Sequence, residues 1–505
     1  MEVKEAQTSK TAGPVKAAVS RIKIVWLIVA IVAAGIVVLL PTPESLSVAG
    51  QRSLAILVFA VIVWLTEAIS YPVSAFAILS MLTLFMAYAP NPDSETGDDN
   101  LGTSAALSQA LGGFSTGAWA LVLAALFLAA AMQVTNLHRR IALLILRSVG
   151  ERTDAILLGT ILISTVLAFI VPSSTARTGA ILPILLGLVV SFGLEKKSRM
   201  AALLVLTAVH ASTIWNVGLK TGAAQNILMD GLVKEYFGES ITWGKWFLAG
   251  APWAVIMCVA LFFIMRTLFK PELTEIEGGR DLARKQLKEL GPVRPEEWRL
   301  IAATIALLFF WSTEGTLHSI DSSTITVVAI AILLLPGVGV FSWKQANQYL
   351  DWGTVWVLGV SISLGTVLLR SGAAKWLSDA ILAPIGLDRY PLVIAVAVCA
   401  LFGILIHLGF ASGSSLTSVF IPVTMVLAST FDASIEAQIG FVLIMQFIVN
   451  FGFLLPISTP QGLLAHGTGA FTGRDFIKSG IPITIVGYLL LVLFAGTYWQ
   501  WIGIL

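Results

Sequence analysis

Apolar segments long enough to cross a lipid bilayer recur along this chain of 505 residues and constrain its fold more than any other feature. A bilayer core of about 30 Å requires about 20 apolar residues per helix. Eleven such segments lie near residues 24–40, 51–69, 72–89, 116–134, 199–218, 247–268, 300–317, 323–341, 353–370, 437–456 and 481–503. Charged residues make up only 12% of the chain, against about a quarter in soluble domains. The sequence therefore predicts an all-α polytopic membrane protein with about 11 transmembrane helices.

Two further apolar stretches, 154–193 and 390–430, are interrupted midway by a small polar cluster. Each could form two spans or one re-entrant hairpin. The distribution of Lys and Arg decides between them, because short basic loops stay in the cytoplasm. With both stretches as hairpins, nearly every basic cluster is cytoplasmic, and the exceptions are Arg370, Lys375 and Arg389. This topology predicts a cytoplasmic N-terminus and a C-terminus outside the cell.

The two interrupted stretches carry an internal repeat. Residues 172–183 (PSSTARTGAILP) align without gaps with 411–422 (ASGSSLTSVFIP), which pairs Ser173 with Ser412, Thr175 with Ser414, Thr178 with Thr417 and Pro183 with Pro422. A second polar break follows each stretch, at 220–226 and at 458–462. The topology places the two hairpins on opposite sides of the membrane. Inverted repeats with broken helices build the substrate site of many secondary transporters.

The residue types at these breaks suit an anionic ligand. Ser, Thr, Asn and Gly offer hydroxyls, amides and close backbone approach without charge, and irregular backbone at membrane depth is tolerated where it lines a cavity. The helix that begins after each polar tip directs its free N–H groups and positive dipole end toward the site. Two such ends favour a ligand with two carboxylates. A single Ser-Ser-Thr cluster is more often a packing feature, so this prediction depends on the repetition.

Four segments resemble motifs of the divalent anion:sodium symporter (DASS) family of dicarboxylate and citrate carriers. Residues 64–74 (WLTEAISYPVS) are similar to that family's W-x-T-E-A-x-P-x-P-V-T segment. Residues 173–175 and 412–414 stand where the family's hairpins carry Ser-Asn-Thr, and 458–460 with 467–469 resemble its T-P-P-N…G-x-G segment. The resemblance spans most of the chain. It implies a homodimer in which a mobile transport domain moves against a scaffold domain as an elevator.

The resemblance also implies which residues clasp the substrate, namely those of the two hairpin tips and of the breaks that follow them. On this chain they are Ser173, Ser174, Thr175, Ser412, Gly413, Ser414, Thr221, Gly222, Asn226, Thr459 and Pro460. The domain division that it predicts has five consecutive parts. These are scaffold helices at 1–135, a first transport half at 136–246 (hairpin 154–193, broken helix 199–230), further scaffold helices at 247–370, a second transport half at 371–480 (hairpin 390–430, broken helix 437–470) and a last helix at 481–505. The charged segment 270–299 is predicted to be a solvated cytoplasmic linker, with a regulatory element as the alternative.

The chain departs from the family where its members hold sodium. Ser174 and Gly413 replace the hairpin Asn residues and Gly462 replaces a loop Asn, so that only Asn226 of that set remains. Three potential cations stand near the breaks instead, and they are Arg177, Lys220 and His407. Intramembrane cations are costly and usually mark a functional or paired site. We predict that they compensate the charge of a bound dicarboxylate, as sodium would.

Each of these cations also has a structural explanation. Arg177 could cap the hairpin or extend to the membrane interface. Lys220 could pair with a structural partner or tilt to the interface, and His407 could be a hydrogen-bonded core histidine. These alternatives remain open at the level of the sequence.

A carrier with fixed cations would move only when loaded, because its empty site would take an uncompensated charge through the bilayer. The prediction is therefore obligatory exchange of C4–C5 dicarboxylates such as malate, succinate and 2-oxoglutarate, with no cofactor. The family's exchanger branch resembles this chain in its Ser-x-Thr-Ala-Arg stretch at 173–177. The alternative is a sodium-coupled di/tricarboxylate symporter.

Other functional classes lack their sequence signatures here. The motifs H-E-x-x-H and G-x-x-x-x-G-K-[ST] are absent and the five histidines are dispersed, so neither an enzyme nor a metal site is predicted. No polybasic block suits nucleic acid. A channel would not explain paired broken helices. The expected partners are dicarboxylates, membrane lipid and a second copy of the chain, and the short basic N-terminus suits a bacterial plasma membrane.

Overall fold

The computed structural model describes residues 13–90, 100–275, 278–381 and 385–505. These ranges are almost entirely helical, and their β-structure is limited to three isolated bridges. The first eleven helices are α1 (Gly13–Leu39), α2 (Val48–Thr66), α3 (Tyr71–Ala87), α4 (Thr103–Leu111), α5 (Gly117–Thr135), α6 (Leu137–Ser148), α7 (Thr153–Ile170), α8 (Ser174–Ser191), α9 (Arg199–Gly218), α10 (Ala224–Phe237) and α11 (Trp243–Leu268). The remaining helices are α12 (Gly279–Leu290), α13 (Pro295–Thr313), α14 (Ser322–Leu334), α15 (Trp343–Asn347), α16 (Trp352–Arg370), α17 (Ala373–Ile381), α18 (Leu392–His407), α19 (Gly413–Ala428), α20 (Ile435–Val449), α21 (Pro460–His466), α22 (Gly473–Gly496) and α23 (Tyr498–Trp501).

Nine helices in the described ranges are long and apolar enough to cross a membrane. Five shorter apolar helices accompany them, and these are α3, α14, α18, α19 and α20. The all-α polytopic membrane class is thus confirmed. Seven of the nine helices lie at predicted spans, and the other two, α7 and α8, are the two limbs of the stretch 154–193, each long enough to cross a membrane. Three of the predicted spans correspond to shorter helices, which are α3, α14 and α20. The stretch 323–341 is helical only to Leu334, because the residue before Pro336 is disfavoured in a helix. The stretch 437–456 is helical only to Val449, where a polar break begins.

Two compact units make up the chain. One comprises Met1–Phe114 with Trp352–Leu377, in which α2 packs on α1 and α3, and α3 packs on α4 and α16. The other comprises Ser115–Asp351 with Ser378–Leu505, and it contains both interrupted stretches and every residue predicted to bind substrate. The finer division into scaffold and transport domains stays a prediction.

Within the second unit, five helices repeat in the same order. The set α7 to α11 corresponds to the set α18 to α22. In each set a hairpin of two helices is followed by a third helix, a 3-10 turn (Lys220–Gly222 or Pro456–Ser458), a fourth helix and a long fifth helix. The tenth residue of the second and fifth helices is proline in both sets, at Pro183, Pro252, Pro422 and Pro482. The structural repeat is therefore longer than the aligned polar motifs.

Capping side chains fix where the longer helices of the repeat begin. Ser198 and Ser434 cap α9 and α20, and Thr242 and Thr472 cap α11 and α22. In each case the side-chain oxygen accepts a backbone N–H of the first helical turn, an interaction that contributes about 1 kcal/mol. The matched residues mean that local capping, as well as the apolar pattern, encodes the repeat.

Candidate functional site

The two hairpin tips have nearly the same backbone. Ser173, before α8, has φ −149° and ψ 113°, and Ser412, before α19, has φ −142° and ψ 128°. Ser173 also accepts the N–H of Ala176 at 3.3 Å, whereas Ser412 makes no such cap. Gly413 is buried, and the half-buried tip residues are Ser173, Ser174, Thr175, Ser412 and Ser414. The tips thus place hydroxyls and the starts of two helices at half-buried positions.

The second breaks also match each other. Ala223, before α10, has φ −152° and ψ 147°, and Thr459, before α21, has φ −144° and ψ 144°. The Thr459 hydroxyl accepts the N–H of Gly462 at 3.2 Å. Among the residues predicted here to bind substrate, Pro460 is exposed, and the buried ones are Thr221, Gly222, Asn226 and Thr459. These four support the breaks from the interior.

Each second break packs against the hairpin of the other half, since α10 contacts α19 and α21 contacts α8. Ser174 Oγ donates to Oε1 of Gln461 at 3.2 Å. The equivalent pair in the other half is Gly413 and Gln225, where a Cβ added to the glycine would lie 2.7 Å from Gln225 Nε2. Both glutamines are the second residue of their helices. The two halves are therefore joined reciprocally, with a glutamine from one break against the tip of the other half.

Side-chain amides connect the two halves at the breaks. Asn226 Oδ1 accepts from Asn450 Nδ2 at 2.8 Å and from Gln446 Nε2 at 3.3 Å. Asn226 Nδ2 donates to two backbone carbonyls, including that of Asn216 at 2.7 Å. Asn450 Oδ1 in turn accepts from Gln225 at 2.9 Å. The Asn226 side chain thus holds the halves together, and its oxygen already accepts two hydrogen bonds.

Arg177 lies in the first turn of α8 and is fully buried. Its Nη1 donates to the carbonyls of Val171 (2.9 Å) and Gly222 (3.1 Å). Its Nη2 donates to the carbonyl of Ser212 (3.1 Å) and to Oδ1 of Asn216 (2.7 Å). All four acceptors are neutral, and among the residues that the structure describes no carboxylate pairs with this guanidinium. Arg177 therefore braces the first tip against the first break while its charge remains uncompensated by the protein.

Lys220 is also buried, but its charge is paired. Its Nζ lies 2.7 Å from Oδ2 of Asp230 and donates to the carbonyl of Ile241 at 2.6 Å. Asp230 also accepts the N–H of Ile241 at 2.7 Å and the hydroxyl of Ser240. This ion pair ties the first break to the connection between α10 and α11. Lys220 therefore has a structural partner, as one of the alternatives from the sequence proposed. Its predicted role in compensating the charge of the substrate stays a prediction.

His407 is the last residue of α18 and is buried. Its Nε2 lies 3.0 Å from the carbonyl oxygen of Val449, so Nε2 is the donor in this contact. A Cβ added to Gly452 would lie 3.5 Å from the Cε1 atom of His407. His407 therefore sits beside the second break of the second half, and its role in charge compensation stays a prediction.

The sequence analysis did not predict the amide side chains around the two breaks, which are Asn216, Gln225, Gln446, Asn450 and Gln461. A signal for them was present. The triplet Asn-x-Gly occurs at 216–218 and again at 450–452, and Ala-Gln at 224–225 corresponds to Pro-Gln at 460–461. These pairs align only when the breaks are compared separately from the hydroxyl-rich tips, because the two kinds of segment are spaced differently along the chain.

Comparison with known proteins identifies the family. The model of the family described as sodium:sulfate symporter transmembrane region matches residues 21–505. The chain belongs to this family. A relative in Cupriavidus necator named only as a membrane protein is 46% identical over 479 residues, covering 95% of this chain and 93% of its own. The motif resemblance is thus confirmed for the family as a whole, and this member is an integral membrane protein of a transporter family.

Two further relatives of this sodium:sulfate symporter family member have more specific names. The sodium-dependent dicarboxylate transporter SdcS of Staphylococcus saprophyticus is 26% identical, covering 90% of this chain and 87% of its own. The citrate/succinate antiporter of Escherichia coli K12 is also 26% identical, covering 94% of this chain and 97% of its own.

Two solved structures share the fold. The YdaH transporter of Alcanivorax borkumensis has a TM-score of 0.52 at 16% identity, covering 85% of this chain and 97% of that one. MtrF of Neisseria gonorrhoeae has a TM-score of 0.52 at 13% identity, covering 84% and 93%. These similarities concern the fold alone.

The contact between Gln225 and Gly413 yields a stability prediction for this family member. Gly413→Ala should displace the Gln225 amide and break its hydrogen bond to Asn450, lowering the free energy of unfolding by about 1 kcal/mol. The matched control is Gly187→Ala in α8, where the nearest atom to an added Cβ is 4.0 Å away. Thermal unfolding of both purified variants in detergent measures the effect. Equal midpoints for the two variants would show that the Gln225 contact adds no stability.

Proposed function

We propose that this member of the sodium:sulfate symporter family exchanges C4–C5 dicarboxylates across a bacterial plasma membrane, one entering as another leaves. The similarity to SdcS and to the citrate/succinate antiporter supports dicarboxylates as the substrate class. Their identities to this chain are equal, at 26%, so identity does not discriminate between sodium symport and exchange. The observation that carries the proposal of exchange is the buried guanidinium of Arg177, whose four hydrogen-bond acceptors are all neutral.

A fixed buried charge makes movement depend on the substrate. Transfer of an unpaired charge into an apolar environment is costly, and a charge that is compensated by a counter-ion costs much less. A dicarboxylate bound near Arg177 would supply the compensating charge. The empty carrier would lack it, so it would cross too slowly for net uptake, and only the loaded carrier would exchange sides.

The hairpin tips are the proposed contacts for the two carboxylates. Ser173 and Ser174 stand at the start of α8, and Ser412 and Ser414 stand at the start of α19. Free N–H groups at a helix start bind anions, and the nearby hydroxyls add further donors. The contact of each tip with the opposite break supports a proposed site in which the two helix starts bind the two ends of a C4–C5 dianion.

Sodium symport is the second candidate. The amide-rich breaks favour it, since the symporters that this chain resembles hold sodium with neutral oxygens. Two contacts argue against it. Asn226 Oδ1 already accepts two hydrogen bonds from the other half. At the equivalent position, Gly462, a Cβ would lie 2.5 Å from the carbonyl oxygen of Pro456. Asparagine therefore does not fit at 462 without a backbone shift.

Counterflow in proteoliposomes tests the proposal. We expect labelled succinate to enter vesicles loaded with unlabelled dicarboxylate and to enter empty vesicles hardly at all. Replacement of external sodium by potassium should not change the rate. A panel of C4 to C6 carboxylates then defines the substrate range. Strong uptake into empty vesicles that depends on an inward sodium gradient would establish the symporter and contradict exchange.

We also propose that the protein acts as a homodimer with elevator-type movement, as the family resemblance implies. The purified protein in detergent should then have twice the mass of one chain by light scattering, after subtraction of bound detergent. A monomer that retains full exchange after reconstitution would contradict the dimeric part of this proposal.

A further inference from the structure

A basic groove of about 870 Å³ lies between α6 and α12. Its cationic lining comprises Arg147 from α6 and Arg284, Lys285 and Lys288 from α12, and its single carboxylate is that of Asp281. Asp281 pairs with Arg284 at 3.2 Å. In the part of the chain that the structure describes, the other three cations make no ion pair. The groove therefore has a net charge of +3 and lacks enough acidic groups of its own to balance it.

A buried ion pair holds one edge of the groove in place. Arg140 of α6 contacts Glu297 of α13 through Nε at 2.5 Å and Nη2 at 3.1 Å. The same guanidinium donates to the carbonyls of Gly291 at 2.9 Å and Pro292 at 3.3 Å, two residues that line the groove. Gly291 and Pro292, which follow the C-terminal end of α12, are thus held against α6. The basic side chains of α12 therefore line a groove of defined shape.

The residues near the groove are of the kind found at a membrane–water interface. Helix α6 begins two residues after α5, one of the membrane-length helices. Pro292 lies three residues before α13, whose first turn carries Trp298 with 61% of its surface exposed. Leu144 of α6 is also exposed. An exposed tryptophan at a helix end is typical of the membrane–water interface, where phosphate headgroups lie.

We propose that this groove binds the headgroup of an anionic phospholipid such as phosphatidylglycerol. Juxtamembrane Lys and Arg clusters attract anionic lipid, and basic pockets beside membrane helices bind its headgroups. The exposed Leu144 and Trp298 provide the apolar contacts for acyl chains that a free anion would not use. The inferred site is independent of which substrate the protein carries and of whether it exchanges or symports it.

The proposed site is connected to the hairpin that carries Arg177. Helix α6 packs against α8, and Gln286 of α12 lies over Gly187 of the same helix, 4.0 Å from the position of an added Cβ. A lipid phosphate between α6 and α12 would reduce the repulsion among the basic side chains of these helices. Anionic lipid should therefore favour the packing of α12 and α6 beside α8.

Native mass spectrometry of the purified full-length protein with phosphatidylglycerol or phosphatidylcholine tests this site. The variant Lys285→Gln/Lys288→Gln removes two exposed, unpaired cations. The matched control, Lys196→Gln/Lys197→Gln, removes two exposed lysines from the connection between α8 and α9. Each juxtamembrane cation contributes about 1 kcal/mol to anionic-lipid binding, or about fivefold in affinity. We expect roughly 25-fold weaker phosphatidylglycerol binding in the α12 variant and an unchanged affinity in the control.

Three outcomes would overturn the inference. An equal loss in the control variant would show that the lipid responds to a diffuse cationic surface. Unchanged binding in the α12 variant would show that the groove does not hold the lipid. Inorganic phosphate, added in excess, should not displace the lipid from the wild-type protein. If it does, and binds without lipid in a manner that depends on Lys285 and Lys288, the groove is a site for free anions.

Discussion

Arg177→Met should abolish dicarboxylate counterflow, reducing the rate at least about 100-fold. Loss of a buried charge-assisted interaction with a carboxylate corresponds to about 3 kcal/mol, and about 1.4 kcal/mol is tenfold. The loss should be this large because Arg177 has no carboxylate partner among the described residues, so that a bound dianion is the charge that it would compensate. Counterflow of labelled succinate, normalised to the amount of reconstituted protein, measures the effect.

Arg177 also braces the first tip against the first break, and a second variant separates this structural role from its charge. Arg177→Lys keeps the charge but cannot reach four acceptors with one ammonium group. If the charge drives exchange, the lysine variant should retain measurable counterflow while the methionine variant does not, even where both have the same unfolding temperature. Wild-type affinity and rate in a folded Arg177→Met variant would remove Arg177 from the proposed mechanism.

Asp230→Asn should be the most destabilising single substitution near the breaks, lowering the free energy of unfolding by about 3–5 kcal/mol. The Lys220 side chain is only 4% exposed, so removal of its partner leaves an uncompensated buried charge. The matched control is Asp154→Asn. Asp154 pairs with Arg266 at the same distance, 2.7 Å, but the two side chains are 46% and 55% exposed. Because exposed pairs contribute about 0–1 kcal/mol, the control should have nearly the wild-type unfolding temperature in detergent.

The double variant Lys220→Met/Asp230→Asn then assigns the role of Lys220. It removes both charges and keeps an oxygen that can accept the N–H of Ile241, so most of the lost stability should return. If Lys220 serves only the ion pair, the double variant should carry out counterflow at close to the wild-type rate. If Lys220 helps to compensate the substrate, stability should return without counterflow. If the double variant is as unstable as Asp230→Asn alone, the uncompensated charge of Lys220 is not the cause of the lost stability.

Much of the fold could be predicted from the sequence. The length and low charge of the apolar segments set the membrane class, because the bilayer excludes unpaired backbone and charge. The polar interruptions located the breaks between α7 and α8 and between α18 and α19, since Ser, Thr and Gly at matched spacing end one helix and start the next. The ends of α14 and α20 were less well predicted, because apolar character continues past the residues at which Pro336 and Asn450 stop the helices.

The candidate site was predicted only in part. Tip residues such as Ser173 and Ser412 could be found because the polar pattern is local and repeats. Pairings between the halves could not be found this way, since Ser174 and Gln461 are 287 positions apart. A contact over that separation depends on how α21 packs against α8, which no local pattern encodes.

The three basic residues beside the breaks show where the information in the sequence ends and that of the tertiary structure begins. The sequence alone showed that Arg177, Lys220 and His407 lie within apolar segments beside the breaks, where a charge is energetically costly. Their distance from the ends of those segments can be counted along the chain. Their partners were decided by packing. Lys220 meets Asp230, whereas Arg177 meets only neutral oxygens. Sequence spacing fixes the depth of a group along its own helix, but electrostatic compensation depends on which neighbouring helix brings an opposite charge within a few ångströms.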